Sequence, residues 1–343
     1  MRLSNFELLR LVSMFMVLIV HSNFQALGTP TSTDLQLTPT ISTLRIILQS
    51  LTLVCVNIFI LISGWFGIRF SYKGIIQLLF QTFFFLFGIY FICIALNIEE
   101  LSIKGIGKCL MLNHGTWFIK SYLCLYIIAP ILNSFINSSS PQKLARIIIL
   151  FYSFQFIWGW GFNGVSFFEE GYSTLSFIGL YLLARYIHLY PPKFTQFPRY
   201  SYIIIYTILS LLTAFFLWIS ILKELSFYYK FWSYNSPIII CASLALFLFF
   251  SKLKINSKYI NKIAISSLAI YLSHFIIWNR IIVPQIQSIA KTYGIVICCV
   301  LITILLIVFS ILAITMDKVR IYLWNLLSQT RIFQYIIIKT NQK

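Results

Sequence analysis

Acidic residues are scarce in this chain: 8 Asp and Glu stand among 343 residues, against 26 Lys and Arg. Charge of either sign is thin, at 10% of the sequence, where a soluble domain carries about 25%. That excludes a water-facing exterior. No polar stretch is long enough to fold as a soluble domain, and no C-x-x-C motif occurs. Of the seven cysteines, Cys55, Cys93, Cys124, Cys241, Cys298 and Cys299 lie in apolar runs and only Cys109 does not. Zinc and a disulfide framework are therefore not indicated, and all seven read as buried small apolar residues. The net charge of +18 would suggest nucleic acid in a soluble protein. Here the basic residues sit in short loops between apolar runs, which points to topology signals and anionic lipid instead.

What is present is apolar length. The chain is 59% hydrophobic with a mean hydropathy of +0.89, so the expected class is an all-α polytopic membrane protein. Ten spans are expected, near 7–27, 43–64, 74–97, 116–136, 144–162, 173–190, 200–222, 236–251, 263–284 and 293–316. The first reads as an uncleaved helix, not a signal peptide, because Arg10 interrupts its start. With the N-terminus cytoplasmic, most Lys and Arg fall on inner segments. The outer loops keep only Lys104, Lys108, Lys223, Lys230, Arg280 and Lys291. Asp34, Glu99, Glu100, Glu169, Glu170 and Glu224 fall outside, Glu7 and Asp317 at inner span edges, and no carboxylate deep in the bilayer. Both termini are thus expected in the cytoplasm. Residues 1–316 form one membrane domain, and 317–343 a basic amphipathic tail along the cytoplasmic interface.

Two ionisable side chains interrupt the first run, "NFELLRLVSMFMVLIVHSNF". Arg10 and His21 are eleven residues apart, and at about 100° per residue that is three turns plus about 20°. They share a face, which Met14, Val17 and Gln25 continue. The axial separation is about 16 Å, so Arg10 lies near the cytoplasmic headgroups and His21 beyond the midplane. Arg10 can snorkel and pair with Glu7, and His21 can serve a helix-to-helix hydrogen bond. An elongated anionic donor fits the pair better: phosphates on Arg10, reactive end at His21. Acyl-coenzyme A has that shape, and a neutral imidazole can take the proton of an acceptor hydroxyl attacking its thioester.

Further candidates are spread along the chain. In "SSLAIYLSHFIIW", Ser267, Tyr271, His274 and Trp278 share a helix face. His274 can bind acceptor, assist His21 or hydrogen-bond within the bundle. His114 and His188 lie at loop edges. Asn57 lies at depth in the second span, which Gly64 is expected to terminate. Asn57 or a backbone carbonyl is expected to orient His21. Arg69 and Lys73 can hold nucleotide phosphates or be plain inner-loop charges. The outer loop "GFNGVSFFEEGY", with Glu169 and Glu170, and Trp117 with Lys120 read first as a solvated loop and interfacial aromatic belt, and second as groups that suit a sugar.

These segments resemble the membrane-bound acyltransferase 3 family, chiefly bacterial carbohydrate O-acyltransferases. "NFELLRLVSMFMVLIVHS" is similar to its opening motif, with the Arg-x10-His spacing at Arg10 and His21. "VNIFILISGWFGIRF" resembles its second-span Ser-Gly signature. "WFIKSYLCLYIIAPILN" resembles its Trp-Phe…Tyr…Pro…Asn segment, and "SSLAIYLSHF" its late Tyr-x-x-His segment. The resemblance implies a ten-helix fold and no permanently bound cofactor. It implies cytoplasmic acyl-CoA, chiefly acetyl-CoA, as donor and a cell-surface or lipid-linked glycan as acceptor. Arg10 would contact the donor and His21 would be catalytic. The proline that often follows the late histidine is missing, which weakens the transfer of a role to His274.

Two other functions fit the composition. A transporter or flippase of a lipid-linked glycan would be expected to keep carboxylates near the midplane. A membrane glycosyltransferase would need acids in an outer loop, and the first outer loop offers only Asp34. The enzyme is the expectation, as a multi-pass protein of the cell membrane with lipid, acyl-CoA and carbohydrate as partners, no nucleic acid and no metal.

Overall fold

The structure, a computed structural model, describes residues 3–162 and 167–330. α1 (Ser4–Val20) widens into a π-helical turn, His21–Gln25. α2 (Ser32–Leu37) leads to α3 (Pro39–Thr52) and α4 (Cys55–Phe66). Next come α5 (Tyr72–Ala95), α6 (Ile103–Cys109), α7 (Trp117–Ser138) and α8 (Pro141–Phe154), which ends in a second π turn, Gln155–Gly161. α9 (Thr174–Leu189), α10 (Arg199–Leu222), α11 (Pro237–Ser251) and α12 (Lys258–Ala264) follow. α13 (Ser267–Ile277) passes through a third π turn, Trp278–Ile282, into α14 (Val283–Thr292), and α15 (Ile295–Ser328) comes last. No strand occurs among the described residues.

Helix starts follow local chemistry. Ser71, Ser102, Ser140 and Ser173 each accept from the backbone N–H three residues on, capping α5, α6, α8 and α9. Thr31 and Asp34 form a reciprocal capping box on α2. Eight helical stretches are long and apolar enough to cross a membrane. A bent pair, Lys258–Phe275 with Trp278–Thr292, makes nine. α9 is apolar but has only 16 residues, about 24 Å against a core of about 30 Å. Each of the ten expected segments thus has a helical counterpart, and the chain is an all-α polytopic membrane protein. The ninth, expected as a single run, bends by 63° where the third π turn begins. Pro284 follows closely and lacks the N–H that would continue the helical ladder.

Two further differences have physical causes. Cys124, Cys241 and Cys299 are exposed and not buried in protein, because lipid satisfies an apolar side chain as well as a core does. α15 does not end near 316: it runs on to Ser328, 34 residues or about 51 Å. Asp317 and Arg320 are buried on it, with Arg320 Nη2 and Nε donating to Asp317 Oδ1 at 2.7 and 2.9 Å and Gln81 Nε2 at 3.3 Å. Arg331, Lys339 and Lys343 lie outside the described residues.

The chain divides into two compact units and passes between them three times, once inside α7. The first holds the residues up to Ile68 and Ile127–Ala264. In it α1 packs on α4, α11 and α12, α4 on α9, and α10 on α3 and α11. Gly64 permits the α4–α9 approach: a Cβ there would lie 2.5 Å from Tyr181 O and 2.9 Å from Ala184 Cβ. Gly64 is therefore a packing residue and not the expected terminator. α4 continues to Phe66 and stops at Gly67, whose φ of 74° suits glycine. The exit is locked by a closed set of bonds. Ile68 N donates to Tyr181 Oη (2.9 Å), Tyr181 Oη to Asn133 Oδ1 (2.7 Å) and Asn133 Nδ2 to Ile68 O (2.9 Å). The second unit holds Arg69–Tyr126 and the chain from Ile265 on, with α13 packed on α5 and α15. α6 folds onto α5, where Cys109 Sγ donates to Leu86 O (3.4 Å) and Tyr90 Oη to Glu100 O (2.8 Å).

Candidate functional site

The first unit carries Arg10 and His21 at two ends of one rod. α1 is regular from Ser4 to Val20, so the eleven-residue spacing keeps both on one face, about 16 Å apart. At the lower end, Arg10 Nη1 contacts both Glu7 carboxylate oxygens at 3.0 Å. The pairing with Glu7 is therefore real, and Glu7 is buried while the Arg10 side chain is 31% exposed. Nη1 alone makes these bonds; a guanidinium has five N–H donors, so Nε and Nη2 still carry hydrogens suited to an anion.

A second cation stands at this end. Phe6 packs on Trp65 and Phe66, at ring distances of 6.0 and 5.0 Å. Arg185 of α9 donates from Nη1 to Trp65 O at 3.1 Å. In the sequence Arg185 is only one of the basic residues expected on inner segments. Its link to the end of α4 is a long-range contact with no local signal.

At the upper end, His21 opens the π turn and its Nδ1 bonds the Gln25 side-chain oxygen. In a turn closed by i→i+5 bonds, residue i+4 lies more nearly over residue i than in an α-helix. The widening thus stacks Gln25 on His21. An amide oxygen only accepts, so it places the ring proton on Nδ1 and makes Nε2 the basic nitrogen. Gln25 thus helps to orient the ring. Asn57 is buried and donates to Tyr234 O at 3.0 Å instead. The rest of the turn is held by α3: Asn23 Nδ2 donates to Arg45 O (2.8 Å) and Gln49 Oε1 (3.3 Å), and Arg45 Nε to Asn23 Oδ1 (3.1 Å).

From this turn the packing continues to the connector before α11. Phe24 meets Trp232 at a ring distance of 5.4 Å. Trp160 Nε1 donates to Lys230 O (2.8 Å), Lys230 Nζ to Gly161 O (2.7 Å), Asn235 Nδ2 to Gly159 O (3.1 Å) and Asn235 N to Glu170 O (3.3 Å). Glu169 and Glu170 form a tight left-handed turn with Gly171, at φ of 42°, 54° and 97°. Partial burial pushes the Glu170 carboxyl above its ordinary range. Burial first, and then Glu170, pushes the Tyr172 phenol up to about 12. Positions 163–166 of this outer loop lie outside the described residues.

The remaining candidates belong to the second unit. Arg69 and Lys73 are exposed, and Lys73 sits in the first turn of α5. Arg69 O accepts from Tyr126 Oη at 3.3 Å. Trp117 opens α7 with its ring 5.8 Å from Phe118. Tyr271, His274 and Trp278 do share a face, with ring distances of 5.1 and 6.0 Å from His274. His274 is buried and its Nδ1 bonds Tyr271 O.

No curated protein and no solved structure matches this chain. A family model does: that of the acyltransferase domain, over residues 3–313, which takes in every side chain of the candidate site. The Arg10–His21 rod, the α4 end at Gly67 and the Asn133 lock all fall within that match, and the chain belongs to the acyltransferase 3 family.

Proposed function

We propose that this membrane acyltransferase moves an acyl group, acetyl in the first instance, from cytoplasmic acyl-CoA to a hydroxyl of a cell-surface or lipid-linked glycan, at the cell membrane and with both termini cytoplasmic. The observation that carries the reading is the α1 rod, with a cation at one end and a tautomer-fixed imidazole about 16 Å away. The donor's phosphates meet Arg10, with Arg185 beside the same helix end. The pantetheine arm spans the rod and brings the thioester to His21. Nε2 of His21 takes the acceptor's hydroxyl proton, and the oxygen attacks the thioester carbonyl. The C–S bond breaks, and the coenzyme leaves as a thiol once it regains a proton from the imidazolium. Gln25 holds the ring without adding a negative charge that would favour the imidazolium. An acyl-histidine route uses the same nitrogen as nucleophile.

The test is mass spectrometry of surface polysaccharide from cells with the wild-type chain, with His21→Ala, or without the protein. The wild type should add the mass of an acetyl group, and His21→Ala should not, while inserting normally. Acetylation by His21→Ala equal to wild type removes the catalytic role. A glycan transported but unmodified by the wild type favours the flippase.

A further inference from the structure

One cation of the first unit stands inside an apolar span. Arg45 lies on α3, near the start of the second expected span, and is half-buried. An ionisable group at such a place is costly unless its partners are fixed, so its partners are informative. Arg45 spends its guanidinium on oxygens at the end of the helix that carries His21. Nε donates to Asn23 Oδ1 at 3.1 Å, and Nη2 donates to Asn23 O at 3.4 Å and to Gly28 O. Asn23 answers from Nδ2, donating to Arg45 O at 2.8 Å and to Gln49 Oε1 at 3.3 Å. The guanidinium carbon also lies 5.9 Å from the centre of the Phe24 ring.

The place of this clamp gives it its meaning. The wide turn is closed by the bond from Ala26 N to His21 O, five residues back, and Gly28 leaves the helix with a φ of 77°. A π turn is rare beyond such single bulges, so contacts from outside the helix must hold it. Carbonyls near a helix end lack full intrahelical donors and carry partial negative charge. A guanidinium fork set there supplies donors and is attracted by the helix dipole. With the fork on both Asn23 oxygens, the turn cannot tighten to α pitch without breaking those bonds. The fold does not hang on them: Phe24 is buried in a cluster with Leu35, Ile46, Leu217 and Ile221. Loss of the guanidinium leaves that packing in place and frees the pitch of the turn.

We infer that Arg45 is a positioning residue for acyl transfer: it holds the end of the His21 helix in its wide form and so keeps Gln25 against the imidazole. This assignment rests on the acyl-transfer reading above. Arg45 acts through the turn and Gln25, not on the thioester.

The experiment reads labelled acetyl-CoA incorporation in membrane vesicles of cells that make the polysaccharide. Arg45→Met keeps the stem and removes the fork. It should lower the maximal rate about ten- to a hundredfold, the scale set by displacing a reacting group by about 1 Å, and leave the KM for acetyl-CoA as in wild type. Gln25→Met should cost about as much, and the double variant no more than either single one, since both act through one bond. A second readout is independent of catalysis: nitrogen NMR of the purified full chain labelled at histidine, with His21→Ala assigning the signal. Wild type should carry the ring proton on Nδ1, and Arg45→Met should show a mixture of the two tautomers. If Arg45→Met does not accumulate, Arg45→Lys takes its place; it keeps a charge at the helix end, loses the fork and should show the same changes in smaller degree. Losses that simply multiply in the double variant, or a ring proton still fixed on Nδ1 without the fork, overturn the inference and leave Arg45 a structural cap. A wild-type chain with the proton on Nδ1 that incorporates no acetyl overturns the parent reading instead.

Discussion

Gly64→Ala adds one methyl group to the tightest helix contact in the first unit. Its carbon would sit 2.5 Å from Tyr181 O and 2.9 Å from Tyr181 Cα and Ala184 Cβ. Ordinary carbon contacts lie at about 3.5–4.0 Å, so the misfit is about 1 Å. The nearest atoms are backbone, so no side chain can swing away and α9 itself must retreat. Overpacking of this kind costs about 1–3 kcal/mol. Alanine's better helix propensity returns about 0.5–1 kcal/mol, leaving a net loss near 1–2 kcal/mol. The retreat also pulls Tyr181 from Ile68 N and Asn133, and Arg185 from Trp65 O. Acyl transfer should therefore fall more than the stability loss alone would require. The assay is thermal unfolding of the purified chain followed by circular dichroism, with polysaccharide acetylation in parallel. Gly107→Ala is the control: its Cβ meets nothing within 4 Å, so propensity alone acts and stability should hold or rise. A Gly64→Ala chain as stable and active as wild type would refute the close-approach argument.

Arg10→Ala should weaken acyl-CoA binding about tenfold or more, the scale of charge-assisted hydrogen bonds; unchanged affinity would leave the guanidinium serving Glu7 alone. Asp317→Ala should destabilise by about 3–5 kcal/mol because Arg320, 3% exposed, is left unpaired. Replacing both by leucine should recover most of that, and a double variant as weak as the single one would show that the pair's charges are not the cause. Asp34 is held below its ordinary value, first by the Thr31 backbone N–H and then by the Thr31 hydroxyl. Its contribution to stability is therefore present above the ordinary carboxylate pKa and lost as pH falls through the depressed one. Thr31→Ala should reduce the acid dependence of unfolding below about pH 4, and an unchanged pH profile would count against the cap.

Sequence alone determined the class, the rough place of the ten apolar segments and the Arg10–His21 stripe. All three rest on local periodicity: apolar length sets a span, and a rigid rod of known pitch sets which side chains align. Gln25 lay on that stripe too, but its bond to His21 needed the widened turn, and nothing local announces a π bulge. The tertiary structure decided the rest because each part is a meeting of distant residues. Gly64 looked like a helix end because glycine both terminates and admits close neighbours, and only the position of α9 separates the two. Arg185 at the α4 end, the Asn133–Tyr181–Ile68 lock and the bond from Gln81 of α5 to the buried Asp317 join residues by side-chain geometry across helices. Asn57 is buried within the protein, and its partner, Tyr234 O, lies 177 positions away. The pitch of one helix fixes what shares a face; only the packing of several fixes what that face meets.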